Sequence, residues 1–145
     1  MQSTVEIKLL GAGDEAILQS VATEVFDDPI HPNAAAEFLS DPRHHIAVAV
    51  EKNFVIGFVS AVHYLHPDKP SPEWWINEVG VAESHRGQGI ARRLMKVVLD
   101  EAQQQGCGEA WVLTHRSNVA AMRLYASSGG SEAEDADIVM FEFNL

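Results

Sequence analysis

The stretch Asn77-Glu78-Val79-Gly80-Val81-Ala82-Glu83-Ser84-His85-Arg86-Gly87-Gln88-Gly89-Ile90-Ala91 constrains the fold more than any other part of the chain. Residues 74–82 are rich in tryptophan and β-branched side chains and read as a strand. Residues 90–105 carry an apolar stripe at Ile90, Leu94, Val97, Val98 and Ala102, with Gly106 as a stop, and read as a helix. Between them lies a turn with two glycines, Gly87 and Gly89. Such a junction exposes backbone N–H groups at the positive end of a helix macrodipole. An anion fits there, a pyrophosphate above all, because glycine permits close approach and Arg86 adds a full charge. Two nucleotide signatures are absent. No Gly-Lys-Ser/Thr follows the glycines, and Arg92 stands where a dinucleotide GxGxxG motif needs its third glycine. Taken alone, the glycines fit a plain turn equally well.

The flanking chain supplies the rest of a mixed α/β domain. Residues 4–10 read as a strand ended by Gly11-Ala12-Gly13. Asp14 is placed to cap a helix over 15–26, with Ile17, Val21 and Val25 on one face, and residues 27–32 break it. Asn33 is placed to cap a short helix reaching residue 40. Residues 45–50 and 55–64 form an expected hairpin with a tight link at 51–54. Three prolines make 66–73 a loop; then come an expected strand at 110–115, a helix at 118–128 capped by Asn118 and a closing strand at 138–144. The chain has 145 residues, without repeat or linker, which is enough for one domain with a conventional core.

Charge narrows the partners. Ten Lys and Arg against 21 Asp and Glu give −11, which argues against nucleic acid or an anionic membrane as a general partner. Residues 84–98 nevertheless hold Arg86, Arg92, Arg93 and Lys96 with no acid, leaving six basic and 21 acidic residues elsewhere. A cationic island on an acidic body suggests an anion at one place and a cation at another; a solvated helix face is the alternative. The single cysteine, Cys107, cannot form an internal bridge, no apolar run is long enough to span a membrane, and no secretory pattern opens the sequence. A cytoplasmic setting is expected.

Two motifs carry a resemblance. Arg86-Gly87-Gln88-Gly89-Ile90-Ala91 resembles the Gln/Arg-x-x-Gly-x-Gly/Ala signature of the GNAT superfamily of acyl-CoA-dependent N-acyltransferases. The segment Asn118-Val119-Ala120-Ala121-Met122-Arg123-Leu124-Tyr125-Ala126-Ser127-Ser128-Gly129 is similar to that family's Asn-x-x-Ala-x-x-Leu-Tyr-x-x-x-Gly helix. The motifs cover half of the chain, and the element order covers nearly all of it. The resemblance implies one α/β GNAT domain over residues 1–145, its mostly antiparallel mixed sheet splayed at the central strand and flanked by about four helices. It also implies acetyl-coenzyme A as cofactor. The N–H groups of Gln88, Gly89, Ile90 and Ala91 would hold the pyrophosphate, and Arg86 and Gly87 would shape the loop. Backbone at Val79 and Val81 would pair with the pantetheine arm, and Asn118 would bond the cofactor. Gly80 would permit a bulge at the splay or pack beneath a neighbour.

Acetyl transfer to an amine requires removal of a proton from the acceptor, polarisation of the thioester and a proton for the leaving thiolate. Glu78, on the central strand among apolar residues, is the candidate base; a solvated or Arg-paired carboxylate is the alternative. Tyr125 is the candidate acid, on the same helix face as Asn118 two turns earlier; a core tyrosine is the alternative. His63 and His66, the His44-His45 pair and Cys107 lack the company of a metal site or nucleophile and read as structural. Trp74 and Trp75 read as core side chains rather than acceptor walls.

Among GNAT branches, residues 76–95 and the ending Val139-Met140-Phe141-Glu142-Phe143 look most like aminoglycoside 3-N-acetyltransferases. That likeness implies acids at Glu78 and Glu142, with Asp27, Asp28, Asp135 and Asp137 taking ammonium groups of a small polycationic amine. Glu78 departs from the branch, which has Asp there. Two other readings stay open: acetylation of a peptide or protein amine, and a non-catalytic acyl-CoA-binding domain. A homodimer is left open.

Overall fold

The computed structural model describes residues 4–133 and 137–145. Its frame is one five-stranded sheet in the order β1 (Glu6–Leu9), β2 (His44–Glu51), β3 (Phe54–Tyr64), β4 (Glu73–Val81) and β5 (Glu109–Val112). The first three pairings are antiparallel, and β4–β5 is parallel. The parallel step needs a crossover, which α2 (Ile90–Gln104) supplies. Two further α-helices, α1 (Pro32–Ser40) and α3 (Val119–Ser127), complete the set. The β2–β3 link is the expected tight turn, with Lys52 and Asn53 both at positive φ.

The apolar stripe of α2 is buried against the sheet. Leu94 and Val98 are fully enclosed, as are Val48 and Val59 of the strands. Burial of each such side chain contributes about 2 kcal/mol. At the far end of this layer His45 is buried, with its Nε2 2.7 Å from Nδ1 of His63 and its ring stacked on Trp74. Burial, reinforced by His63, lowers the His45 pKa to about 4. The paired histidines are thus structural, and no group of three or more metal-ligating side chains occurs among the described residues.

Three expectations are corrected. The helix over 15–26 is only a 3₁₀ turn, Glu15–Gln19. Asp14 turns back to accept from the Gly11 N–H at 2.8 Å, and the backbone beyond Ser20 is taken by the sheet: the Val55 N–H donates to Ser20 and the Ala22 N–H to Val55, both at 2.9 Å. A helix cannot continue through residues whose backbone groups pair with a strand. The cap of α1 is His31, whose Nδ1 accepts from the Ala34 N–H, with Pro32 in the first turn; Asn33 lies inside the helix. Residues 138–144 form no strand, and Ile138, Val139, Met140, Phe141 and Phe143 are exposed. The described residues hold three α-helices, which fits the expected count of about four.

One irregularity decides which way β4 points its side chains. Ser60 pairs with Glu78 and Ala61 with Ile76, so Asn77 is an extra residue, a β-bulge. Strict alternation would set Glu78 on the face of Trp74 and Ile76, against α2. The extra residue moves Glu78 and Gly80 to the opposite face, beside Ser60 and Phe58. Val79 and Val81 stay on the α2 side: a Cβ on Gly57 would meet both Leu94 of α2 and the Val81 side chain.

Candidate active site

Where β4 ends, the chain forms the glycine turn. Gly87 and Gly89 both adopt φ +76°, and a Cβ on either would meet nothing within 4 Å. The requirement for glycine here is conformational rather than spatial. Gly89 opens α2 without a side-chain cap, and the first helical bond is Arg93 N–H to Gly89 O at 3.2 Å. The N–H groups of Ile90, Ala91 and Arg92 precede any intrahelical acceptor. Ile90 is buried and anchors the helix start, whereas Gln88 and Gly89 are exposed. Arg86 donates from Nε to the Val81 carbonyl at 3.2 Å, so it braces the turn against the strand end. Upstream, His85 bridges Ser84 at 2.7 Å and Glu51 at 3.0 Å, tying the turn to the end of β2.

Beside the turn lies a cleft of about 540 Å³, lined by Gly89, Arg92, Arg93 and Lys96 together with Ser127 and Ser128 at the end of α3. Two of its cations have protein partners: Arg93 donates to the Val5 carbonyl at 2.9 Å, and Lys96 pairs with Asp100 at 3.1 Å. The charge pattern revealed the island; the serines that close it come from the end of α3, which the fold brings beside α2.

The splay is visible in the pairing. β5 accompanies β4 only from Glu73 to Ile76, where Val112 ends it. The remaining stretch of β4, with Val79 and Val81, therefore offers an edge to a ligand. Gly80 does not make the bulge. A Cβ there would press on the Val25 carbonyl and stand 2.7 Å from Cε1 of Phe58. Glycine at 80 thus lets segment 21–28 lie against β4, where Phe26 stacks on Phe58 with ring centroids 4.0 Å apart.

That close approach brings Asp27 to Glu78. Partial desolvation raises the Glu78 carboxyl above its ordinary value, and a hydrogen bond with Asp27 and the charges of Asp27 and Asp28 add to it. Glu78 itself is exposed. Asp27 and Asp28 also line a cavity of about 560 Å³, with Glu15, Glu24, Phe26 and Ile30 among its walls. Glu142 and Asp137 are not among the charges acting on Glu78. Glu142 sits on the exposed tail because the closing strand does not form, and Asp137 lies in the turn before it. Asp135 is outside the described residues.

On α3, Tyr125 is half-buried, and burial raises its phenol pKa, keeping it protonated at neutral pH. Asn118 caps the helix, its side-chain oxygen accepting from the Ala121 N–H at 3.1 Å. The cap uses the side-chain oxygen and not the NH₂ group. Trp74 is core, and Trp75 stacks on Trp111 across the β4–β5 pair. Cys107 is half-buried with its thiol pKa raised by burial, the opposite of an activated nucleophile.

Comparison with known proteins agrees with this geometry. Residues 15–129 match the Acetyltransferase (GNAT) family. The aminoglycoside N(6′)-acetyltransferase type 1 of Serratia marcescens is 32% identical over 108 residues, 72% of this chain and 74% of that protein. The N-alpha-acetyltransferase RimI of Mycobacterium tuberculosis is 31% identical over 105 residues, 72% of this chain and 63% of that protein. N-acetyltransferase 8F1 of Rattus norvegicus is 32% identical over 94 residues, of which the chain spans only 42% of the length. Among solved structures, an aminoglycoside acetyltransferase from an uncultured soil metagenomic sample, in complex with sisomicin, superposes with a TM-score of 0.78 at 18% identity, covering 97% of this chain and 96% of that one. The chain belongs to the acetyltransferase (GNAT) family.

Proposed function

Starting from that membership, we propose that the protein is an acetyl-CoA-dependent N-acetyltransferase whose acceptor is a small polycationic amine of the aminoglycoside class. The observation that carries this reading is the sequence of features along one strand: a carboxylate-bearing face at Glu78, an edge at Val79 and Val81 that β5 does not cover, and an uncapped helix N-terminus beyond the glycine turn. The residues fit the cofactor. N–H groups at the start of α2 suit the pyrophosphate, the β4 edge suits the amides of pantetheine, and the basic cleft suits the phosphorylated nucleoside. Acetyl-CoA, when bound, supplies the acetyl group as a thioester and leaves as a thiol.

The chain's own residues handle the protons. Asp27 and Asp28 attract and orient ammonium groups at the cavity mouth. An alkylammonium has a pKa near 10, so the nitrogen to be acetylated arrives protonated. Glu78, with its raised pKa, accepts that proton directly or through water. Tyr125, a neutral phenol whose pKa burial raises, gives its proton on the sulfur side; the second proton that the nitrogen loses as the amide forms passes to solvent, from which Tyr125 is reprotonated.

The acceptor class draws on the acidic cavity and on the Serratia marcescens relative, which is named for the 6′ nitrogen. The motif likeness instead favours the 3-N position. Similarity to RimI supports a second reading, a peptide α-amine as acceptor. A thiol-release assay with acetyl-CoA over aminoglycosides, polyamines and peptides separates these, and mass and NMR analysis of the product identifies the nitrogen. The expected result is turnover with aminoglycosides. Turnover with peptides alone establishes the second reading, and CoA binding without turnover on any amine leaves a non-catalytic acyl-CoA-binding domain.

A further inference from the structure

The glycine turn has little of the fold packed against it. Residues 86–89 are all exposed, and a Cβ on Gly87 or Gly89 would meet nothing within 4 Å. Its firm ends are Ala82 and Ile90, both buried; the Ala82 N–H donates to the Ile56 carbonyl at 2.8 Å. Between these ends, the Arg86 bond to Val81 is local and braces the turn only against its own strand. The bond from His85 Nε2 reaches farther, to Glu51 Oε1 at 3.0 Å, across 34 residues of sequence.

The sheet explains how these two residues meet. The β3–β4 ladder runs through the Gly57–Val81 pair to Ile56 and Ala82, so the chain leaving β4 passes the tip of the β2–β3 hairpin. Glu51 ends β2 there, paired with Phe54, and the tight turn at Lys52 and Asn53 follows it. The Glu51 side chain is 16% exposed and that of His85 18%. A carboxylate so enclosed gains from a donor, and the imidazole N–H supplies one. Ser84 Oγ lies 2.7 Å from Nδ1 of the same ring, so both ring nitrogens are engaged and the ring is held in one orientation.

We propose that His85 is a positioning residue for coenzyme A: through Glu51 it fastens the glycine turn to the β2–β3 hairpin, so the N–H groups at the start of α2 are already aligned when the pyrophosphate arrives. The inference rests on the acetyltransferase reading. Preorganisation of this kind lowers the ordering cost of binding and leaves the chemical step alone. Loss of the brace should therefore weaken CoA binding without slowing turnover at saturation.

Calorimetry with CoA on the full chain tests this in the wild type, His85→Phe, Glu51→Leu, Glu51→Gln and Ser84→Ala, with circular dichroism to establish folding. Loss of one hydrogen bond to a charged group corresponds to a rise in Kd on the order of 10-fold, expected in His85→Phe and Glu51→Leu. Glu51→Gln keeps an accepting oxygen and should bind close to wild type. Ser84→Ala, a substitution at an exposed position that spares the fold, should give a smaller rise. In steady-state kinetics the KM for acetyl-CoA should rise in His85→Phe while kcat and the acceptor KM hold. In the cofactor-free chain, ¹⁵N relaxation should show lower order parameters at Gly87, Gln88 and Gly89 in His85→Phe. Wild-type CoA affinity and order parameters in folded His85→Phe and Glu51→Leu would overturn the proposal, as would Glu51→Gln binding as weakly as Glu51→Leu. Failure of the wild type to bind CoA would overturn the acetyltransferase reading instead, and the order parameters would then decide the brace by themselves.

Discussion

Replacing Gly80 with alanine tests the contact on which the site depends. The added Cβ would press on the Val25 carbonyl oxygen and stand 2.7 Å from Cε1 of Phe58, where real Cβ atoms keep at least 3.0 Å. Neither neighbour is a flexible side-chain end: one is backbone, and the other belongs to a ring that is 1% exposed. Gly80 is not among the positive-φ residues, so the cost is steric rather than conformational. Segment 21–28 must retreat, weakening the Phe26–Phe58 stack and carrying Asp27 away from Glu78. Overpacking of this kind costs about 1–3 kcal/mol. In a chain of this size each kcal/mol lowers Tm by about 2–4 °C, so a fall of about 2–12 °C is expected. The Glu78 titration midpoint should fall towards its ordinary value in the same variant. Thermal unfolding by circular dichroism and a carboxyl ¹³C NMR titration provide the readouts. A Tm within about 1 °C of wild type, with Glu78 titrating as before, would refute the reasoning.

Three further outcomes are expected. Tyr125→Phe should lower kcat about 100-fold while leaving KM and Tm near wild type, because it removes only the proton donor; steady-state kinetics at saturating acetyl-CoA checks this, and an unchanged kcat excludes Tyr125 as the acid. Gly89→Ala should lose about 1–2 kcal/mol although the space around it is open, because φ +76° disfavours any Cβ; urea unfolding reads the loss, and calorimetry should show weaker CoA binding. The depressed His45 pKa makes the unfolded chain bind a proton that the folded chain refuses, so its contribution is full above pH 6.5 and is lost as pH falls towards 4. The loss is on the order of 3 kcal/mol, and it should vanish from the difference between urea midpoints at pH 7 and pH 4 in His45→Phe.

The legible parts of the sequence were those written within a few residues of one another. The α2 stripe, its glycine start, the tight hairpin at Lys52-Asn53 and the Asn118 cap are local patterns, and the structure contains each of them. The misread helix over 15–26 shows where locality fails. Its apolar spacing was genuine, yet pairing between Ser20, Ala22 and Val55 outweighed it. The closing strand at 138–144 had the right alternation but forms no strand here, and Glu142 went with it.

Glu78 was visible as a carboxylate on an apolar strand, and the acids of segment 27–28 were visible as charge. Their meeting was not. It depends on an extra residue at Asn77, whose existence is defined only by what β3 places opposite, and on a glycine whose missing Cβ matters only because Val25 and Phe58 arrive there. Sequence alone determined the locally written elements, the glycine turn and the kinds of titratable side chain available, because dihedral preference and hydrophobic period act over short range. Tertiary structure decided which face of β4 presents Glu78 and which segment lies beside it, because strand register and close packing join residues that are far apart along the chain.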